Sequence, residues 1–212
     1  KNGQWQRWGI AEGMPTDKIR TLLVRSNGDL AVGTDNGLVL MRDNAIYRIY
    51  DRDTSAVENA VILSLCEDPQ GNLYIGSDGD GIYKLELDGT VQPIPEAANG
   101  DRLGSVLSME WDPRHNGMWI SNGRAIYFLE EDKIKKVYTG TLNVNNLYKV
   151  VPSAAQLTED RLYLFGSRSV QSMDVDELLD PEMEKSEKAT KEEKRRVKED
   201  AEFMRSLLTF AF

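Results

Sequence analysis

Few side chains in this sequence could carry bond-making chemistry. There is one histidine, His115, and one cysteine, Cys66. A single Cys makes no internal disulfide, and the two residues together cannot supply a four-ligand zinc site of Cys and His. His115 lies in Pro113-Arg114-His115-Asn116-Gly117, a turn composition with no nucleophile close in sequence, and it reads as a turn residue. Cys66 sits beside an apolar run and reads as a small core residue. Asp78-Gly79-Asp80-Gly81 has the carboxylates and glycines of a calcium loop but lacks the further spaced acids and the distal Glu. Gly76-x-x-Gly79-x-Gly81 precedes no helix, so it is not a dinucleotide fingerprint. Trp5, Trp8, Trp111 and Trp119 could stack on sugar rings, but core packing uses the same surfaces. What remains is recognition chemistry. Asp35, Asp78 and Asp80 offer acceptors, and the guanidinium forks of Arg124 and Arg168 suit anionic or hydroxyl-rich ligands.

The rest of the composition narrows the function classes. The chain has 212 residues, is 40% hydrophobic and carries a formal charge of -9, which bounds it at one or two domains with a sizeable core. No run of 18 apolar residues occurs, so no complete membrane span is expected within it. The acid excess disfavours nucleic acid as a partner. No metal or cofactor is implied. The chain begins at Lys1 without a signal-peptide pattern, and it reads as a processed or excised piece.

The elements that must position those residues come from internal repeats. Asn27-Gly28-Asp29-Leu30-Ala31-Val32-Gly33-Thr34 recurs as Gln70-Gly71-Asn72-Leu73-Tyr74-Ile75-Gly76-Ser77, more weakly as Asn116-Gly117-Met118-Trp119-Ile120-Ser121, and again as Asp160-Arg161-Leu162-Tyr163-Leu164-Phe165-Gly166-Ser167. The anchor residues Leu30, Leu73, Met118 and Leu162 are spaced by 43, 45 and 44. An apolar run precedes each copy, and a turn rich in Asn, Gly, Asp or Pro joins the two; Asn-Gly between apolar runs is a hairpin signal because both turn residues need positive φ. Each period has room for four short strands. A four-stranded unit of this size cannot bury both faces alone, and stacking units around an axis solves that, which gives a β-propeller. Gly33, Gly76 and Gly166 are expected where neighbouring units approach closely.

The expected fold class is therefore all-β: about four four-stranded antiparallel propeller blades, part of a larger ring, with a C-terminal α-helix. The propeller spans residues 1–178, with blades at roughly 19–50, 61–95, 106–138 and 147–175 and residues 4–8 as an outer strand. That strand leaves a closed four-bladed ring as the alternative. From Pro181 the composition changes to eight acids and eight bases up to Arg205, good helix formers at mixed spacing, so residues 181–212 read as a charged helical tail. The tail is charge-balanced, which leaves the blades acidic.

Trp8-Gly9-Ile10-Ala11-Glu12-Gly13-Met14-Pro15 followed by Leu30, Gly33, Thr34, Gly37 and Leu38 resembles the two-component regulator propeller repeat. Ala31 stands where that family often has Trp. The second repeat keeps the pattern with Asp68, Gly71, Leu73, Tyr74, Gly76, Ser77 and Gly81, whereas the third replaces the Gly with Ser121. The resemblance implies the extracytoplasmic sensor region of a membrane-anchored bacterial signalling protein, of hybrid histidine kinase or diguanylate cyclase type. It implies no catalysis in this chain, a small molecule, saccharide or partner protein as ligand, and a separate output domain; a homodimer stays open for the full-length protein. By analogy with other propellers, the turns between second and third strands would crowd one rim, which places Asp35, Asp78, Asp80, Arg124 and Arg168 there as candidate ligand contacts. A protein-interaction scaffold is the alternative function, and a saccharide-acting propeller enzyme a third.

Overall fold

Asn27-Gly28 makes the expected reversal with positive φ at Gly28 and not at Asn27. Gly28 adopts φ +87, its N–H donates to the carbonyl of Arg25 at 2.9 Å, and the chain reverses into an antiparallel hairpin. The same reversal is repeated along the chain. The computed structural model describes residues 5–57, 61–95, 102–139, 144–150, 160–166 and 169–180. The first sheet contains β1 (Ile19–Val24), β2 (Leu30–Thr34), β3 (Gly37–Arg42) and β4 (Ala45–Tyr50). The second contains β5 (Ile62–Glu67), β6 (Leu73–Ser77), β7 (Ile82–Leu85) and β8 (Val91–Pro93). The third contains β9 (Ser108–Asp112), β10 (Gly117–Ser121), β11 (Ala125–Glu130) and β12 (Lys133–Thr139). The fourth has three strands, β13 (Val144–Val150), β14 (Arg161–Gly166) and β15 (Val170–Asp174). Every sheet runs in sequence order, each strand paired antiparallel with the next. These are up-and-down blades, and the fold is an all-β array of propeller blades.

Each blade hides its faces against its neighbours. Ala31, Leu38, Leu40 and Tyr50 of the first blade form one buried cluster with Ile62, Leu65, Leu73, Ile75 and Tyr83 of the second. Cys66, Tyr74 and Ile82 of the second pack with Met109, Met118, Ile120 and Tyr127 of the third. The strands β1, β5, β9 and β13 lie side by side along the inner edge. Hydroxyls stitch them together. Ser64 Oγ on β5 donates to the carbonyl of Val106 at 2.8 Å, and Ser108 Oγ on β9 accepts from Leu147 N on β13 at 3.0 Å. Two of the glycines expected at close approaches, Gly33 and Gly76, serve the same junctions. A Cβ on Gly33 would come within 2.8 Å of Ile62 Cγ2, and one on Gly76 within 2.7 Å of Val106 Cγ1, so each meets a side chain of the following blade.

The outer strands carry a different composition. Lys133, Lys135 and Lys136 lie on β12, Arg48 on β4, and Pro93 ends β8. At the two ends of the array, apolar side chains face outward. Leu22 and Val24 on β1 are 62% and 72% exposed, and Phe165 and Val170 in the fourth blade are 37% and 61% exposed.

The outer strand expected over residues 4–8 needs correcting. Residues 5–8 belong to no sheet, and Gln4 lies outside the described residues. Trp5 is fully exposed. Trp8 is drawn to the first blade: its ring packs against the cluster of Met14, Val32, Val39 and Met41, and its Nε1 donates to the carbonyl of Asn44 at 3.2 Å. An indole that finds apolar cover and an acceptor on the first blade does not hold this segment extended for pairing elsewhere.

The chain divides into two compact units, Lys1–Met173 and Asp174–Phe212. The described part of the second holds α1 (Val175–Leu179), capped by Asp174, whose carboxylate accepts from Glu177 N at 3.1 Å. The helix expected over residues 181–212 lies outside the described residues.

Candidate functional site

In an up-and-down sheet, alternate turns lie at opposite ends of the strands. The turns after β2, β6 and β10 therefore share one rim, and those after β1, β3, β5, β9 and β11 share the other. The first rim holds the residues singled out in the sequence. Asp35 accepts a bidentate pair from Arg20, with Nη2 to Oδ2 at 3.0 Å, and has Lys18 Nζ at 3.8 Å. The Arg20 guanidinium holds the Asp35 carboxyl below the usual carboxylate range. Asp78 accepts from Ser105 Oγ, and its charge also reaches Arg20. Asp80 is exposed, and its N–H donates to Ser77 Oγ at 3.1 Å. Arg124 is exposed as well, its N–H held by Asn122 Oδ1 at 3.0 Å. Arg168 lies outside the described residues. The structure thus brings Asp35 and Asp78 to one arginine and spends them on the junction of the first two blades. Asp80 and Arg124 stand on their own turns.

The opposite rim is built on one buried carboxylate per repeat. Asp29 is 1% exposed and accepts both Arg42 nitrogens, at 2.7 and 2.8 Å, with Tyr47 Oη at 2.7 Å and Asn27 Nδ2 at 3.1 Å. These donors, Arg42 foremost, hold its carboxyl far below the usual range. Asp68 accepts the N and Nδ2 of Asn72, both at 2.8 Å. Asp112 takes the backbone N–H groups of Arg114 and His115 on one oxygen, and Trp119 Nε1 at 2.9 Å and His115 Nδ1 at 3.0 Å on the other. Asp160 of the fourth blade lies 3.3 Å from Arg114 Nη1 and 3.8 Å from His115 Nδ1. Between the first two blades, Arg25 Nε reaches Glu67 at 2.9 Å and its Nη2 reaches the Gly71 carbonyl at 2.7 Å. These are clamps between hairpins and blades.

Asp112, His115 and Asp160 present ligand atoms within 4.8 Å of one another, a spacing that a metal ion could bridge. Their donors argue for the clamp instead. Both Asp112 oxygens already accept hydrogen bonds, and the Arg114 guanidinium supplies the positive charge that Asp160 requires. His115 is a turn residue, as its sequence context indicated, and it also joins the third blade to the fourth. Cys66 is a core thiol whose ionisation burial pushes up to about 12, so it is no nucleophile at neutral pH.

A groove of about 250 Å³ opens between the second and third blades. Its lining includes Trp111, Lys84 and Tyr74. Trp111 Nε1 is buried with no hydrogen-bond partner. Lys84, with a side chain 14% exposed, is ion-paired with Asp132 of the third blade at 3.5 Å and with Glu86 at 3.9 Å, and rests over the Tyr74 ring at 5.8 Å. Tyr74 is 6% exposed, and burial followed by the charges of Asp68 and Asp132 keeps its hydroxyl protonated well above the usual phenol range. The outer wall is acidic, formed by Glu131 and Asp132 in a left-handed turn with φ 48 and 57. In the sequence Trp111 reads as a packing aromatic. The available signal was Lys84, a cation inside an otherwise apolar strand.

Comparison with known proteins agrees with the architecture. Residues 57–79, which run through β5 and β6, match the family model described as two component regulator propeller. The match lies in the second blade, where Tyr74 stands at the position that Ala31 occupies in the first. No curated protein matches the chain. Among solved structures, a chain described as the extracellular domain of a hybrid two component system from B. thetaiotaomicron superposes with a TM-score of 0.60 at 12% identity, covering 73% of this chain and 21% of that one. Another such domain from B. thetaiotaomicron gives 0.58 at 18% identity, covering 76% and 22%. Virginiamycin B lyase from Staphylococcus aureus gives 0.54 at 14% identity, covering 80% and 58%. At these identities the likeness is one of fold, and this chain spans about a fifth of the length of the two B. thetaiotaomicron domains.

Proposed function

We propose that this chain is a non-catalytic sensing region of a bacterial signal-transduction protein, placed outside the cytoplasm, which binds a ligand and relays its presence to a separate output domain. The observation that carries the reading is the two component regulator propeller repeat in the second blade. The structure supports it in two ways. Asp29, Asp35, Asp68, Asp112 and Asp160 are taken up in holding turns and blades together, and a groove opens between the second and third blades. A small molecule, a saccharide or a segment of a partner protein held there touches two blades at once. It therefore favours one blade arrangement over another, and the output follows by population shift.

The test is made in the full-length protein. Deleting these blades is expected to abolish the response to the stimulus while leaving basal output measurable. An unchanged stimulus response overturns the reading. The second reading, an interaction scaffold, is favoured by the exposed apolar side chains Leu22, Val24, Phe165 and Val170 at the two ends of the array. In that case the deletion would release a bound protein without altering any response to small molecules.

A further inference from the structure

We propose that the outward face of the first blade docks one further propeller blade, which carries Gly or Ser at the close-approach position of its second strand, and that the fourth blade does not fill this place. The surface is independent of the sensing role. Strand register makes the blades comparable position by position. Thr21 pairs with Gly33, Ser64 with Gly76, Ser108 with Ser121 and Asn146 with Phe165. Two residues before these first-strand positions stand Ile19, Ile62, Val106 and Val144; one residue after them stand Leu22, Leu65, Met109 and Leu147. In later blades the preceding blade covers them. Ile62 and Leu65 pack with Ala31, Leu38 and Leu40, and Val106 and Met109 with Cys66, Tyr74 and Ile82. Leu65, Met109 and Leu147 are accordingly 9%, 5% and 6% exposed, whereas Leu22 is 62% exposed. Ile62 and Val106 are fully buried, whereas Ile19 is 44% exposed. The first blade thus presents one half of the junction that the later blades complete, and its apolar pair is laid out for the missing half.

The completed junctions also define the covering blade. Ile62 and Val106 lie so close to the backbone of Gly33 and Gly76 that a Cβ there has no room. Ile19 offers the same branched side chain, so the strand facing it needs Gly, or at most the Ser that the third blade has at Ser121. The fourth blade does not meet this requirement. Its register sets Phe165 where Gly33 and Gly76 stand. Gly166, the glycine expected at the close approach, falls one place later, opposite Val144, as Thr34 lies opposite Ile19 and Ser77 opposite Ile62. Phe165 set against Ile19 would put an aromatic ring where the other blades leave no space for a methyl group. Shape therefore selects against closure of the four blades on themselves, and against one copy's fourth blade seating on another copy's first in this register.

The occupant is identified by photocrosslinking in the full-length protein, with Leu22→p-benzoylphenylalanine and the adduct mapped by mass spectrometry. The expected adduct lies in the second or third strand of another propeller repeat, one with Gly or Ser at the register position of Gly33. An adduct in β14 or β15 overturns the proposal, because the fourth blade then fills the place. An adduct to a sequence outside any such repeat overturns it as well. Hydroxyl-radical footprinting of the unsubstituted protein guards against disturbance by the probe: Leu22 oxidised as fast in the full-length protein as in this chain alone means that nothing docks there, which also overturns it. The role of Phe165 is read on this chain alone by sedimentation. If Phe165 only adds apolar surface, Phe165→Ser weakens self-association. If it obstructs the junction, Phe165→Ser strengthens self-association by about tenfold, the relief of one overpacked contact, and Leu22→Lys in the same chain reverses the gain. Strengthening is expected, and weakening or no change overturns the assignment of Phe165. Circular dichroism verifies that the strands are kept, and Phe165→Gly repeats the comparison with the residue of the first two blades.

Discussion

Asp29 shows how much of this molecule's chemistry is structural. Its buried carboxylate accepts four hydrogen bonds from Arg42, Tyr47 and Asn27. Such a set favours the charged form strongly, and its folded ionisation lies far below that of an unfolded Asp, about 3.9. A depressed folded value means stabilisation present above the unfolded value and lost as pH falls toward the folded one. Asp29→Asn is therefore expected to be less stable than the parent near neutrality. The gap should narrow as the pH is lowered below about 4. Urea melts of both proteins across that range test it, and a gap that is constant with pH would show that Arg42 does not set the ionisation of Asp29. The role of such a residue was not legible beforehand. A recurrent Asp beside a turn satisfies the turn alone, and only the folded hairpins reveal that Arg42 and Tyr47 close over it.

At the scale of the strands and turns, glycines separate two kinds of constraint. Gly76 needs its missing side chain for space, since a Cβ there meets Ser64 Oγ and lies 2.7 Å from Val106 Cγ1. Gly28 needs it for conformation, with φ +87 and nothing within 4 Å of a built Cβ. Gly76→Ala is expected to cost roughly 1–3 kcal/mol through overpacking between two blades. Gly28→Ala should cost about 1 kcal/mol, the strain of a left-handed backbone. Thermal melts of the two variants should preserve that order, and equal losses would mean that the second and third blades adjust freely around Gly76. This scale is also where the sequence was most informative. Leu30, Leu73, Met118 and Leu162 mark the second strands of four successive sheets, because a period of this length is imposed by the strands themselves. The segment at residues 5–8 misled for the opposite reason. It has no repeat partner, and its fate was decided by where Trp8 found cover. The candidate site was less legible still. Asp35, Asp78, Asp80 and Arg124 do fall on rim turns, but Trp111, Lys84 and Tyr74 converge only when two blades stack, which no spacing within one repeat encodes.

For the molecule as a whole, the decisive feature is that the two end blades keep apolar side chains in water. Leu22 and Val24 sit at one end, and Phe165 and Val170 at the other. A closed ring would cover them. The isolated chain is accordingly expected to self-associate in a concentration-dependent way. Leu22→Lys combined with Val24→Lys should shift light scattering toward the monomer without loss of strand content. A parent chain that stays monomeric and melts cooperatively at all concentrations would mean that these faces need no partner.

The composition of the outer strands bears on what such association can become. Sheets that add strand to strand through their edges grow without limit, whereas blades that stack face against face around an axis stop when the circle is complete. Lys133, Lys135 and Lys136 on one outer strand, Arg48 on another and Pro93 at the end of a third burden the first route with charge repulsion and a missing donor. They leave the second untouched. The chain can therefore carry sticky ends and still be steered toward assemblies of finite number in preference to fibres, a safeguard written on the perimeter.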